Sequence, residues 1–128
     1  MAKALGMIEV YGYTTSIVIA DMVAKTADVK VVAIDKNKPA NADKCEVPLV
    51  MVVKFMGNAA AVQSAHDAGV EEAKRRGLYI TSKVIAGLDE QVTWFAELIH
   101  KTVLYISVSF AVLHTGLSTI FLNSIYMR

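Results

Sequence analysis

The sequence predicts an α+β protein with the element order β-α-β-β-α-β, followed by a C-terminal helical extension. Short β-branched apolar runs indicate four strands, and two longer segments with apolar residues at helical spacing indicate two helices. Two β-α-β halves of this kind fold together into a split sandwich, in which a four-stranded antiparallel sheet carries both helices on one face. The predicted architecture is therefore ferredoxin-like.

The first predicted half contains a strand, a helix and a second strand. Residues 7–10 form a short apolar strand. Thr14 or Thr15 is a suitable N-cap for a helix that runs to about Ala27. Residues 29–34 are apolar and rich in β-branched side chains, which is typical of a strand.

The second predicted half follows a long polar segment. Residues 35–48 contain two prolines and several charged side chains, so we expect a loop there. Residues 49–55 are an apolar run that Lys54 interrupts, which indicates a buried third strand.

The second helix has clear end signals. Asn58 is a suitable N-cap for an alanine-rich helix over residues 59–76, and Gly77 stands at the C′ position. Residues 79–85 alternate in polarity and predict the fourth strand.

Charge divides the chain into a balanced body and an uncharged tail. All 12 acidic residues and 12 of the 13 basic ones lie within residues 1–101, which therefore carry no net charge, whereas residues 102–127 contain no Asp, Glu, Lys or Arg. The balanced body argues against a nucleic-acid partner, and one cysteine excludes an internal disulfide framework. The first six residues have no apolar signal-peptide core, so we expect a cytoplasmic protein.

The chain is therefore predicted to divide into a folded domain over residues 1–88 and a C-terminal helix with an uncharged apolar tail over residues 89–128. Asp89 is a suitable N-cap for a last helix that begins at Glu90. Its apolar positions Val92, Phe95 and Ile99 predict an amphipathic helix that continues into the tail.

We expect no catalytic site and no cofactor. The histidines His66, His100 and His114 lie at no recognisable spacing from paired carboxylates, and the common phosphate-binding, nucleophile and zinc motifs do not occur. His66 and Asp67 are adjacent in the predicted helix, where neighbouring side chains diverge by about 100° and do not face each other.

Cys45 has two interpretations. It is either an incidental loop cysteine or, in a ring with its symmetry axis through this loop, one of several thiolates that converge on a metal or cluster. Lys44 beside it would lower the thiol pKa if the two side chains were close.

Several separated segments resemble bacterial microcompartment shell proteins of the single-domain, hexamer-forming type. The resemblance covers about residues 4–86 and is best over the Met56-Gly57-Asn58 turn and the helix after it. The segments that carry it, in order, are residues 4–9 with Gly12, residues 20–23, residues 25–29, residues 56–62, and residues 65–69 with Ala73.

The resemblance implies a structural subunit without catalysis, which forms cyclic hexamers that tile into sheets around encapsulated enzymes. Its partners would be copies of itself, other shell proteins, those enzymes, and small metabolites that pass a central pore. Lys25 and Asp28 match positions at the edge between hexamers. The loop that would line the pore comprises Lys36, Asn37, Lys38, Pro39, Ala40, Asn41, Ala42, Asp43, Lys44 and Cys45.

The chain departs from the family pattern at three places. Its pore loop is longer and lacks glycine. The family's Pro-Arg-Pro-His stretch after the last strand is replaced by Ala86-Gly87-Leu88-Asp89, and Asp28 stands where the family has asparagine.

Alternatives remain for the tail and for the whole chain. Residues 102–127 are long enough to cross a bilayer, but they could also pack on the hexamer, a neighbour or cargo, or be an accidental extension. The fold would also suit a nucleotide-binding regulatory module of the PII type, and the tail would suit a small tail-anchored membrane assembly protein.

Overall fold

The computed structural model describes residues 3–38, 41–46 and 48–98, and it contains every predicted element of the domain in the predicted order. The strands are β1 (Ala4–Tyr11), β2 (Val29–Asn37), β3 (Val50–Gly57) and β4 (Tyr79–Ile85). The helices are α1 (Tyr13–Thr26), α2 (Ala59–Arg75) and the one-turn α3 (Thr93–Ala96), with short 3-10 turns at Ala42–Lys44 and Glu90–Val92.

The four strands form one sheet in the order β2-β3-β1-β4, and every neighbouring pair is antiparallel. Strand β3 thus lies between β1 and β2, which are joined through α1. This is the split arrangement of the ferredoxin-like fold, and the predicted fold class is confirmed.

One face of the sheet is covered by α1 and α2. Ile8 and Phe55 from the sheet pack with Ile19 of α1 and Val62 of α2, and all four side chains are fully buried. Gly69 lets α2 approach closely, since a Cβ at this position would lie 2.6 Å from Ile8 Cδ1 and 2.9 Å from Val23 Cγ1.

The opposite face of the sheet is partly covered by residues 86–98, which we call the C-terminal strap. Leu88 and Ala96 of the strap are buried against Leu5 and Met56 of the sheet. The Leu88 amide also donates to the carbonyl of Lys3 at a distance of 2.9 Å. The strap therefore closes a second, smaller apolar cluster.

The predicted ends of α2 are confirmed to within one residue. Asn58 Oδ1 accepts a hydrogen bond from the Ala61 amide at 2.8 Å, and Gly77 follows the helix with a φ of +69°, in the left-handed region that favours glycine. The helix ends at Arg75, one residue earlier than predicted.

The start of α1 and the end of β2 differ from the predictions. The N-cap of α1 is Gly12, with a φ of +87°, and not Thr14 or Thr15. Strand β2 continues to Asn37, because residues 35–37 pair with residues 50–52 of β3 despite their polarity. Cross-strand pairing therefore outweighs local composition at this end of the strand.

The last helix is also shorter than predicted. Helix α3 ends at Ala96, while Val92 belongs to the preceding 3-10 turn. Ile99 lies outside the described residues. The carbonyl of Phe95 accepts from the Leu98 amide at 3.2 Å and from Lys54 Nζ at 2.7 Å. These contacts close the turn on the sheet. Asp89 does cap the 3-10 turn, by accepting from the Gln91 amide at 2.9 Å.

We predict that Gly69→Ala destabilises the domain. Alanine favours a helix by about 1 kcal/mol, but overpacking against Ile8 and Val23 costs about 1–3 kcal/mol, so a net loss of about 1 kcal/mol is expected in urea unfolding. Ser64→Ala, on the exposed side of the same helix, is the control and should change stability by less than about 0.5 kcal/mol. Equal stability of both variants and wild type would contradict the tight packing.

We also predict a specific acid dependence for the end of α2. Hydrogen bonds from Arg75 and Arg76 lower the pKa of Glu72 from 4.5 to about 2. A lowered pKa in the folded state stabilises the fold above the unfolded-state value and loses that contribution as the pH falls from about 4.5 to about 2. Glu72→Gln should therefore lower stability at neutral pH and flatten its decline in acid, as measured by urea unfolding across this range.

Glu71 is the matched control for Glu72, because it is the adjacent carboxylate on α2 and is exposed. The variant Glu71→Gln should retain the wild-type pH profile. An unchanged profile in Glu72→Gln would show that the two arginines do not stabilise its carboxylate.

Candidate functional site

The segment between β2 and β3 is the predicted pore loop. Lys36 and Asn37 belong to the end of β2 and are exposed, and Lys38 follows them. Asn41 precedes the 3-10 turn Ala42–Lys44. Pro39 and Ala40, which were also assigned to this loop, lie outside the described residues.

Cys45 ends the 3-10 turn and is half-buried. Its Sγ lies 3.5 Å from the carbonyl oxygen of Asn41 and 3.7 Å from that residue's Oδ1. Among the residues that the structure describes, no group of three or more His, Cys, Asp or Glu side chains could hold a metal ion. A metal bound by thiolates of several copies remains a prediction.

A β-bulge determines which face of the sheet receives Asp35. The register between β2 and β3 shifts by one residue between Val31 and Ala33. Side chains of a strand alternate between faces, so the extra residue moves Asp35 onto the face that carries Lys54. Without the bulge, Asp35 would oppose Met51 on the face that the helices cover.

Lys54 lies in the centre of the sheet, on the strap side, and is fully buried. Its ammonium pairs with the carboxylate of Asp35 and donates to the carbonyl oxygens of Phe95 at 2.7 Å and Leu98 at 3.2 Å. These three acceptors match the three N–H donors of a lysine. We call Asp35, Lys54 and the two strap carbonyls the Lys54 clamp.

The clamp is closed by an aromatic ring and contains one unmatched oxygen. Lys54 Nζ lies 4.4 Å from the centre of the Phe95 ring, which shields the charge from water on that side. The Asp35 Oδ1 atom is buried and accepts no hydrogen bond within the described part of the chain. Because the Asp35 side chain is only 20% exposed, its charge depends strongly on the pair with Lys54.

The clamp was not predicted from the sequence, although Lys54 within an apolar strand is a signal for it. Lys54 was recognised as an interruption of a buried strand, and a buried lysine requires an anionic partner. The partner could not be identified, because Asp35 was assigned to a loop and the bulge that turns it toward Lys54 has no clear sequence pattern.

The two predicted edge residues lie near the end of α1 and the start of β2. Lys25 is exposed and pairs with Asp21 one helical turn earlier, at 2.6 Å. Asp28 is exposed and contributes to an open cleft of about 420 Å³, whose other charged lining residues are Lys3, Lys30 and Glu97. Two lysines and two carboxylates line this cleft, so it has no strong preference for one sign of ligand.

The expectation that His66 and Asp67 do not face each other was wrong. His66 Nδ1 lies 3.2 Å from Asp67 Oδ1, and Nε2 lies 2.8 Å from Ser82 Oγ, which also contacts Tyr79 OH at 2.9 Å. Hydrogen bonds from His66 and Gln63 lower the pKa of Asp67. This network ties α2 to β4. The other two histidines lie outside the described residues.

Within residues 3–38, 41–46 and 48–98, no helix is both long and apolar enough to span a membrane. The candidate span over residues 102–127 lies outside the described residues, so the three interpretations of the tail remain predictions.

The described domain matches one protein family, and the relatives it matches have similar descriptions. The BMC domain family matches residues 4–88. The chain is 34% identical over 86 residues to the bacterial microcompartment shell protein PduK of Citrobacter freundii, covering 67% of this chain and 50% of that protein. It is 34% identical over 94 residues to the shell protein EutK of Escherichia coli strain K12, covering 73% and 51%.

A solved structure agrees with these matches. A microcompartment protein from Desulfitobacterium hafniense DCB superimposes with a TM-score of 0.58 at 32% identity, over 72% of this chain and 47% of that one. The chain spans about half the length of the curated relatives it matches.

Proposed function

Because the chain belongs to the BMC-domain family of bacterial microcompartment shell proteins, we propose that it serves as a structural, non-enzymatic subunit of such a shell. The observation that carries the proposal is the family match from Ala4 to Leu88, which includes all four strands and both long helices. This match favours a shell subunit over the nucleotide-binding and membrane-assembly alternatives.

In this proposal, copies of the chain form a cyclic hexamer that tiles with other shell proteins in the cytoplasm and encloses enzymes. Tyr13 and Ile17 support an interface between copies, because both are large, exposed and one turn apart on α1. Lys25 and Asp28 lie at the edge between hexamers.

The loop between β2 and β3 lines the pore through which small metabolites pass. Asp35, at the start of this loop, is neutralised by its pair with Lys54 and does not contribute to the net charge of the loop. The remaining charged residues are three lysines and two carboxylates, namely Lys36, Lys38, Lys44, Asp43 and Glu46. A net charge of +1 per copy, repeated around the axis, favours anionic metabolites.

The assembly can be tested on the full chain. We expect native mass spectrometry to detect hexamers and electron microscopy to detect sheets. Lys25→Ala should retain hexamers but lose sheets, because it removes an edge contact, while its loss of the surface pair with Asp21 costs at most about 1 kcal/mol.

Lys83→Ala is the control for the edge variant, since Lys83 is also exposed but lies on β4. It should form both hexamers and sheets. A wild-type chain that stays monomeric at high concentration and forms no sheets would refute the proposed shell role.

The pore position of Cys45 predicts a charge-dependent reactivity. In assembled sheets, the anionic thiol reagent DTNB should label Cys45 readily, and its rate should fall several-fold between about 0.02 M and about 0.5 M salt. Lys44→Gln should reduce the DTNB rate at low salt by a larger factor than the rate of neutral N-ethylmaleimide, because only DTNB is anionic. Protection of Cys45 in the assembly, with labelling only after denaturation, would place the loop away from the pore.

A further inference from the structure

We infer that the Lys54 clamp is a conformational coupling device, through which attachment of the C-terminal strap and order at the base of the pore loop depend on each other. Lys54 holds the two regions with one ammonium group, by way of Asp35 on β2 and the strap carbonyls. The clamp lies within one chain, so the inference has the same meaning for a monomer and for a hexamer.

The strap is held to the sheet by few contacts. Its two buried apolar side chains, Leu88 and Ala96, are separated by seven residues, and large side chains between and after them face solvent. Those exposed side chains are Val92, Trp94, Phe95 and Leu98. A segment with so little burial opens locally at low free energy unless polar contacts hold its end.

The polar contacts at the end of the strap come from Lys54. Hydrogen bonds to a charged donor stabilise more than neutral ones, and the carbonyls of Phe95 and Leu98 receive two of them. When the strap leaves, the ammonium loses both acceptors and the Phe95 ring, and water reaches the pair with Asp35. The strap carbonyls and the Asp35 carboxylate thus share one donor, the ammonium of Lys54.

The base of the pore loop depends on the same donor. Residues 35–37 extend β2 past its predicted end and pair with residues 50–52 at the start of β3. Asp35 is the first of these three residues. While the strap is attached, the Asp35 side chain is mostly buried and its Oδ1 atom is out of contact with water. Once the site is hydrated, the pair becomes an exposed salt bridge, which contributes little. Detachment of the strap therefore loosens residues 35–37.

Coupling of this kind is reciprocal. A partner that pulls on the strap loosens the base of the loop, and a change that displaces Asp35 weakens the attachment of the strap.

Hydrogen exchange of the full-length protein tests the inference. In Lys54→Met, which keeps a long apolar stem, amides of residues 92–98 should exchange at least about tenfold faster, and the increase should exceed that of α2 amides. The anisotropy of Trp94, the single tryptophan of the chain, should fall as the strap gains mobility. Lys83→Met, an exposed lysine on β4, should change neither measurement.

A second variant separates loss of the donor from the effect of an unpaired charge. Lys54→Met leaves the largely buried Asp35 side chain without its cation, which lowers the stability of the whole domain. The double variant Asp35→Asn/Lys54→Met removes that charge and should regain global stability. Its strap should stay as exchangeable as in the single variant, because the carbonyls still lack their donor. Recovery of strap protection in the double variant would refute the clamp.

The reverse direction is tested from the strap. Ala96→Asp places a charge in the apolar cluster with Leu5 and Met56 and should detach the strap. Amides of residues 35–37 should then exchange faster although no residue of β2 or β3 has changed. If the strap detaches while residues 35–37 keep their wild-type exchange, the two regions are not coupled.

Discussion

A buried lysine in the middle of the sheet is the constraint on which the strap side of this protein depends. Removing an ammonium from water is costly unless anionic and dipolar groups replace its hydration. Asp35 provides the charge and two backbone carbonyls complete the shell. The bulge in β2 and the early end of α3 both serve this site, since each brings one of these groups within reach of Lys54.

The two faces of the sheet are consequently stabilised by different interactions, apolar packing on one face and a buried charge with its partners on the other. The helix-covered face is a continuous apolar cluster, in which Gly69 lets α2 approach β1. It depends on shape and buried area, so changes that conserve side-chain volume are tolerated best there. The strap-covered face combines a small apolar cluster with a charge that has fixed partners. It depends on direction and distance, so a small displacement of the strap has a disproportionate effect there.

The two faces correspond to different parts of the proposed shell subunit. The helix side and the strand order are those expected for the BMC-domain family, and in the proposed shell they form the body of the tile. The loop between β2 and β3 and the strap contain two of the three expected departures from the family pattern, a longer glycine-free loop and Ala86-Gly87-Leu88-Asp89. The clamp joins these two departures.

Local sequence alone determined the element order, the fold class and the ends of α2, because strand periodicity, the Asn58 cap and Gly77 are properties of neighbouring residues. It also determined the family, through motifs on those elements. Tertiary structure decided the end of β2, the length of α3, the contact of His66 with Ser82 across two elements, and the pairing of Asp35 with Lys54. Each of these depends on register or on a partner distant in sequence, and a one-residue bulge reverses the face of every side chain that follows.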